Sequence, residues 1–142
     1  MKIFLDTADV DLIEKYYGTG LIDGVTTNPT LIKKSGYDPE EVYRKIALIG
    51  VDDISMEIVT DDSYEFLKEG RRLKEKFGEI TTIKVPCTPE GLKACKLLSK
   101  EGIRVNVTLI FSAAQAVLAS KAGAAYVSPF VGRVDDNSFD GL

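Results

Sequence analysis

Short β-branched runs alternate with amphipathic stretches along almost the whole chain, and no other feature of the sequence restricts its fold as strongly. The alternation predicts strands over residues 2–6, 24–27, 54–59, 81–85, 104–108 and 125–129. It predicts helices over residues 9–17, 39–49, 62–77, 89–101 and 112–121. We therefore expect about six consecutive βα units with no linker between them.

Capping residues mark the ends of these predicted helices. Gly50 and Gly123 each stand between a helix and the next strand, where a left-handed C-terminal residue is expected. Asp9, Thr88 and Ser112 stand at helix starts, where a side-chain oxygen can accept a hydrogen bond from a free backbone N–H. The predicted boundaries thus agree with the alternation.

Strands joined by helices run parallel, and right-handed crossovers then give either a doubly wound sheet or a (β/α) barrel. No GxGxxG follows a predicted strand, and no Walker GxxxxGK[ST] occurs. Polar residues stand instead near the C-terminal ends of the strands: Asp6, Thr26, Thr27, Asn28, Glu57, Lys84, Asn106, Thr108 and Ser128. A barrel builds its active site from this end of several strands, so we predict the barrel.

The sequence contains no histidine. Nucleophiles activated by imidazole and imidazole metal sites are therefore excluded for this chain acting alone. Cys87 and Cys95 match no CxxC or zinc pattern, and we interpret them as reduced thiols with a packing role. Any catalysis by this chain must therefore use carboxylates, lysine, tyrosine or thiols.

The net charge of −4 and the pI near 4.9 argue against a nucleic-acid surface, because the lysines and arginines are also scattered. No apolar run approaches the roughly 18 residues of a membrane span, and acidic residues occupy the N-terminal region where a signal peptide is apolar. We expect a cytoplasmic protein without nucleic-acid or membrane partners.

Lys84 is the most informative single residue. Its β-branched neighbours in the predicted strand place its stem inside the barrel, where burial of an ammonium group is unfavourable. A neutral lysine amine is the nucleophile of Schiff-base chemistry. The alternative is a structural ion pair between Lys84 and Asp6 or Glu57.

Asp6 and Glu57 come from different predicted strands and would approach Lys84 in a barrel. Two carboxylates in different surroundings can divide the roles of general acid and general base. With Asn28 they also offer oxygen ligands for Mg²⁺, but a lysine within that cluster would repel the ion. We therefore expect no metal.

Five segments of the sequence resemble the transaldolase family, most closely its short subfamily, which includes the fructose-6-phosphate aldolases. They are FLDTA at 4–8, GVTTNPT at 24–30, IKVP at 83–86, NVTLIFS at 106–112 and YVSPFVGR at 126–133. The resemblance covers essentially the whole chain. It implies a class I aldolase (β/α)8 TIM barrel with its Schiff-base lysine on the fourth strand, and Lys84 lies on the fourth predicted strand.

The resemblance implies a reaction that needs no cofactor. Lys84 attacks the ketone of sedoheptulose 7-phosphate or fructose 6-phosphate, and a dihydroxyacetone unit passes to an aldose phosphate, as in the pentose phosphate pathway. Glu57 and Thr108 act through a water in dehydration of the carbinolamine, and Asp6 takes the proton of the C4 hydroxyl.

The resemblance also implies a substrate-binding set of Thr27, Asn28, Asn106, Ser128, Phe130 and Arg133. Asn28, Asn106 and Ser128 hold hydroxyls of the three-carbon unit, and Arg133 binds the phosphate. Three alternatives stay open. Thr27 is also compatible with an ordinary strand residue, and Ser128 with a partner for strand-end backbone. Arg133 is compatible with an ion pair to Asp135 or Asp136.

Two positions separate transaldolases from their aldolase relatives, which tend to have glutamine at position 57 and tyrosine at position 130. Glu57 and Phe130 are the transaldolase forms. Without a tyrosine hydroxyl to deliver a proton, the enamine on Lys84 persists until it meets an acceptor. The sequence thus favours transfer over fructose-6-phosphate aldolase-type cleavage, which remains the alternative.

The 142 residues are fewer than eight βα units require. We therefore expect residues 1–142 to be one barrel domain truncated at its C-terminus; the alternative is that association with other chains fills the gap. The resemblance separately implies a homo-oligomer of ring type. Two further hypotheses follow: an inactive barrel fragment that serves as a structural module, and a phosphosugar-binding protein without catalysis.

Overall fold

The computed structural model describes residues 1–137 and 140–141, and within them it has six strands and seven α-helices. The strands are β1 (Phe4–Asp6), β2 (Gly24–Thr26), β3 (Asp53–Glu57), β4 (Thr81–Pro86), β5 (Arg104–Ile110) and β6 (Tyr126–Pro129). The helices are α1 (Val10–Tyr17), α2 (Pro29–Ser35), α3 (Pro39–Ile49), α4 (Ser63–Phe77), α5 (Pro89–Lys100), α6 (Ala113–Ala122) and α7 (Val131–Asp136). A 3-10 helix, Gly78–Ile80, precedes β4.

The strands form one sheet in the order β1-β2-β3-β4-β5-β6. The β1–β2, β2–β3 and β5–β6 pairs are parallel, and at least one helix separates each strand from the next. A doubly wound sheet reverses its strand order at a switch point, whereas this order is sequential throughout. The prediction of six βα units of a (β/α) TIM barrel is therefore confirmed.

The chain divides into two compact units, the first of which contains residues 1–57 and 72–82. Its core includes Ile13 of α1, Val25 of β2, Ile46 of α3 and Ile54 of β3, all fully buried. Helix α3 begins at the predicted position because Asp38 accepts a hydrogen bond from Glu40 N and Pro39 occupies the first turn. It ends at Gly50, which has the left-handed conformation expected from the sequence.

The second unit contains residues 58–71 and the described residues from 83 onward. Helix α5 buries Ala94, Cys95 and Leu98, and β5 buries Val105 and Val107. The predicted caps form here too: the Thr88 hydroxyl accepts from Gly91 N, and that of Ser112 from Gln115 N. Within the part of the chain that the structure describes, no helix has the length and apolar character needed to cross a membrane.

Two helices were absent from the sequence prediction. Helix α2 has seven residues and α7 has six, so neither is long enough to give a clear amphipathic period. Asn28 and Pro29 do provide a start signal for α2, with Asn28 Oδ1 accepting a hydrogen bond from Leu31 N. The structure also extends β5 to Ile110, two residues beyond its predicted end.

Glu40 of α3 ties that helix to α4 in the first unit. Its carboxylate accepts hydrogen bonds from Arg72 Nη2 and Lys76 Nζ. The hydrogen bond from Lys76, followed by that from Arg72, lowers the pKa of Glu40 below its ordinary value near 4.5. Because the pKa is lowered, the carboxylate stabilises the fold fully at pH values above 4.5. This contribution to stability is lost as the pH falls through the folded-state pKa of Glu40.

We expect Glu40→Gln to lower the free energy of unfolding at pH 7 by up to about 1 kcal/mol, since the arginine and lysine are largely exposed. Urea unfolding of the two proteins at several pH values measures this difference, which should shrink as the pH falls below 4.5 and through the lowered folded-state pKa of Glu40. Glu75→Gln, at an exposed residue of the same helix as Arg72, is the matched control. A difference that persists unchanged at low pH would contradict the assignment.

Candidate active site

Lys84 is the fourth residue of β4 and only 4% exposed. Ile83 and Val85 on either side are fully buried, as the sequence predicted from their β-branched side chains. The backbone carbonyl of Lys84 accepts a hydrogen bond from Ile58 N at 3.3 Å, which fixes the strand at this residue. A primary amine is thus held on a rigid element near the carboxyl end of a strand.

Thr108 lies on β5 in the same unit as Lys84, and is 1% exposed. Its backbone carbonyl accepts from Cys87 N at 2.9 Å, which joins the end of β4 to β5 three residues after Lys84. Its Oγ1 is buried and has no hydrogen-bond partner among the described residues. Because a buried hydroxyl without a partner is unfavourable, this atom is suited to hold a water or a substrate group.

Asn106 and Ser128 are brought together at the ends of β5 and β6. The Ser128 hydroxyl donates to Asn106 Oδ1 at 2.8 Å, and Asn106 is 2% exposed. This bond goes to a side chain, unlike the backbone contact that the sequence left open for Ser128. It sets the orientation of the Asn106 carboxamide, as a hydroxyl-binding group requires.

Arg133 of α7 stacks on Phe130, with its Cζ 4.7 Å from the ring centroid. Phe130 N donates to Ile110 O at 3.0 Å, which fixes Phe130 at the end of β5. Arg133 makes no ion pair with Asp135 or Asp136 in the described chain, and Asp135 Oδ1 accepts instead from Gly141 N. An exposed guanidinium is therefore directed by an aromatic ring rather than by a carboxylate.

In the first unit, Asp6 and Thr26 are partners across β1 and β2. The Thr26 hydroxyl donates to Asp6 Oδ1 at 2.8 Å, and the two residues are opposite each other in the strand register. Asp6 is exposed at the carboxyl end of its strand. One carboxylate oxygen is thus oriented by a neighbouring hydroxyl, while the group as a whole remains accessible to solvent.

Thr27 and Asn28 both have structural bonds that the sequence analysis did not anticipate. Thr27 is fully buried, and its hydroxyl and its backbone N both donate to Ser55 O, at 3.0 and 3.3 Å. Asn28 uses its Oδ1 as the N-cap of α2. These bonds hold the end of β2 against β3 and start the next helix.

The sequence analysis missed Tyr43, which is 2% exposed on α3 near Thr27 and Glu57. Burial raises the pKa of Tyr43 to about 12, although interactions with the Thr27 side chain and the Glu57 backbone oppose the rise. Glu57 itself is half-buried at the end of β3. The available signal was a tyrosine inside the apolar stripe of α3, where a buried phenol needs a polar neighbour.

The two thiols are free, as predicted, and both are shielded from water to some degree. Burial raises the pKa of Cys95 to about 11 and also raises the pKa of Cys87. The thiolate forms are therefore disfavoured at neutral pH, so neither cysteine is a good nucleophile. No group of three or more Cys, Asp or Glu suited to a metal ion occurs among residues 1–137 and 140–141.

Sequential parallel βα units with charged and polar side chains at the strand ends define a protein of the (β/α)-barrel class, with its candidate active site at the carboxyl ends of the strands. The family model of Transaldolase/Fructose-6-phosphate aldolase matches residues 3–141, and the chain belongs to this family.

Curated relatives agree with this assignment. The chain is 52% identical over 142 residues to a "Probable transaldolase" of Nitrosopumilus maritimus, of which it covers 64%. It is 56% identical to a "Probable transaldolase" of Methanococcus maripaludis, of which it covers 66%, and 55% identical to one of Sphingopyxis alaskensis, of which it covers 65%. Each alignment includes all of this chain, which spans just under two thirds of the length of these relatives.

Proposed function

We propose that this protein is a Schiff-base transaldolase that moves a dihydroxyacetone unit from a ketose phosphate, sedoheptulose 7-phosphate or fructose 6-phosphate, to an aldose phosphate. The observation that carries the proposal is Lys84, a 4% exposed lysine on the fourth strand of a barrel-type sheet. Membership of the family and the names of the relatives support it. The reaction belongs to the pentose phosphate pathway of the cytoplasm in this proposal.

The first step is formation of the imine. The neutral amine of Lys84 attacks the ketone carbon, and the carbinolamine loses its hydroxyl as water to give the protonated imine. Glu57 and Thr108 assist this dehydration through a bound water. The buried Oγ1 of Thr108, which lacks a protein partner, supports its share of this role.

The second step breaks the C3–C4 bond. Asp6 accepts the proton of the C4 hydroxyl, the C4 oxygen becomes the carbonyl of the departing aldose, and the bonding electron pair moves into the protonated imine. The enamine of dihydroxyacetone remains on Lys84. It then attacks the carbonyl carbon of an acceptor aldose phosphate, and the same steps in reverse release the new ketose. No external cofactor or metal takes part.

The remaining polar residues of the set hold the substrate in this proposal. Asn106, which Ser128 orients, and Asn28 at the start of α2 contact the three-carbon unit. Thr27 supports the neighbouring Asn28 through its buried hydrogen bonds to Ser55 O, and Arg133 binds the phosphate as a charged fork. Phe130 lies below the Arg133 guanidinium. In this proposal its ring also borders the enamine. The substrates are sugar phosphates, and the assembly is a homo-oligomeric ring.

Aldolase-type cleavage of fructose 6-phosphate is the second candidate, because the matched family includes both activities. The two reactions share the enamine and differ in its fate. An acceptor aldehyde gives transfer, whereas a proton gives free dihydroxyacetone. Glu57 and Phe130 favour transfer because both are the transaldolase forms, and Phe130 has no phenol hydroxyl that could deliver a proton to the enamine.

We expect Phe130→Tyr to increase the release of dihydroxyacetone relative to transfer by about tenfold, less than the roughly 10²- to 10⁴-fold that an optimally positioned proton donor contributes. A coupled assay for dihydroxyacetone, run with and without an aldose phosphate acceptor, measures the partition. Phe111→Tyr adds a hydroxyl to a neighbouring ring and is the matched control. An unchanged partition in Phe130→Tyr would refute this explanation of specificity.

Borohydride trapping tests the proposed function as a whole. Reduction of the full chain in the presence of fructose 6-phosphate converts an imine into a stable secondary amine, which intact mass measurement detects. The proposal requires one adduct per chain. Absence of an adduct would leave the inactive structural module or the noncatalytic sugar phosphate binder, and a binding titration with fructose 6-phosphate separates these two.

A further inference from the structure

Strand β5 contains a one-residue bulge beside the candidate site. Val107 pairs with Val127 and Ile110 with Pro129, so β5 advances by three residues where β6 advances by two. Leu109, with φ of 59°, is the one non-glycine residue with a positive φ in the described part of the chain. A leucine in this left-handed region is strained, and such bulges often redirect side chains next to active sites.

The bulge changes which residues share a face of β5. Before it, Asn106 and Thr108 lie on one face and Val107 on the other, in the ordinary alternation. Beyond it, Ile110 takes the register position that Leu109 would have had, so Ile110 lies on the same face as Val107, and Phe111 follows directly after the end of the strand. The backbone of Phe111 is fixed there because its N donates to Gln115 Oε1 at 2.7 Å.

Phe111 then contacts the ring that supports Arg133. The Phe111 and Phe130 ring centroids are 5.8 Å apart with an interplanar angle of 60°, an edge-on arrangement. The Arg133 guanidinium lies over Phe130, as described above. The three side chains form one stack, in which the edge of Phe111 holds the ring that in turn attracts the cation.

We propose that Phe111 is a positioning residue which, through Phe130, orients the Arg133 guanidinium and so sets the affinity for phosphorylated over unphosphorylated substrates. The inference rests on the proposed function for its choice of substrate, but its physical basis is the stack. An exposed arginine loses side-chain entropy when it binds an anion, and a ring that already orients it reduces that loss.

The test compares fructose 6-phosphate with fructose in wild type, Phe111→Leu, Phe111→Tyr and Val117→Ala. Phe111→Leu keeps an apolar side chain and removes the ring, and Val117 is an exposed α6 residue outside the stack. We expect Phe111→Leu to raise KM for fructose 6-phosphate about three- to fivefold with little change in kcat, the scale of a lost edge-to-face contact between two aromatic rings. The kcat and KM for fructose should not change in any variant. The KM of Phe111→Tyr and of Val117→Ala for fructose 6-phosphate should equal that of wild type.

Calorimetric titration with inorganic phosphate separates this inference from the proposed function. If no variant turns over sugar or forms a borohydride adduct, weaker phosphate binding by Phe111→Leu than by Val117→Ala still supports the role of Phe111 in the stack. Equal changes in KM for the two sugars, equal phosphate affinities in all variants, or no phosphate binding by wild type would overturn it.

Discussion

Replacing Lys84 with methionine is expected to abolish the borohydride adduct with fructose 6-phosphate and to reduce transfer by about a thousandfold or more, because the proposed imine forms on the Lys84 amine. Methionine matches the length of the buried lysine stem and has no amine, so the core around β4 should remain packed. Intact mass after reduction, a coupled transfer assay and urea unfolding measure the three properties.

Lys96→Met is the matched control, because Lys96 is an exposed lysine on α5 in the same unit. It should form the adduct and retain activity. An adduct of normal yield in Lys84→Met would place the imine on another lysine. If Lys84→Met forms no adduct but binds fructose 6-phosphate as wild type does, Lys84 has a covalent role rather than a binding role.

Replacing Gly91 with alanine should destabilise the protein by about 3 kcal/mol, near the upper end of the usual cost of overpacking. A Cβ on Gly91 would lie 2.0 Å from the carbonyl oxygen of Pro86 and 3.2 Å from Thr88 Oγ1. The first contact is with backbone, which cannot move aside without displacing the end of β4, two residues after Lys84. Equilibrium unfolding in urea measures the loss.

Gly18→Ala is the control for Gly91→Ala, because Gly18 has a φ of −59° and a Cβ there would make only ordinary contacts at 3.5 Å. Its free energy of unfolding should stay within about 0.5 kcal/mol of wild type. If the free energy of unfolding of Gly91→Ala equals that of Gly18→Ala, then α5 does not approach the end of β4 as closely as the structure shows. A moderate loss of transfer activity in folded Gly91→Ala would indicate that the displaced strand end includes Lys84.

Features that depend on short-range chemistry could be predicted from the sequence. The bounds of α3 were predicted correctly because Asp38, Pro39 and Gly50 each act on their own immediate backbone. The burial of Lys84 was predictable from Ile83 and Val85, since alternation in a covered strand leaves little choice. Its place on the fourth strand followed from counting the βα units.

Features that depend on partners elsewhere in the fold were not predictable. Sequence proximity suggested Asp135 and Asp136 as partners for Arg133, but the guanidinium lies over Phe130 instead. Nothing local marks Leu109 for a left-handed conformation, because leucine has no preference for it. The bond from the buried Thr27 hydroxyl to Ser55 depends on the register of β2 against β3. The roles assigned to the individual site residues stay predictions.

The bulge at Leu109 also has a practical meaning for laboratory evolution of this protein. Strict alternation would place positions 106, 108 and 110 along one wall, and a saturation library built on that rule would randomise all three. The bulge gives Ile110 the register of the Val107 face instead, so its buried side chain is not part of that wall. A library limited to positions 106 and 108 samples that wall and leaves the packing of Ile110 on the other face undisturbed.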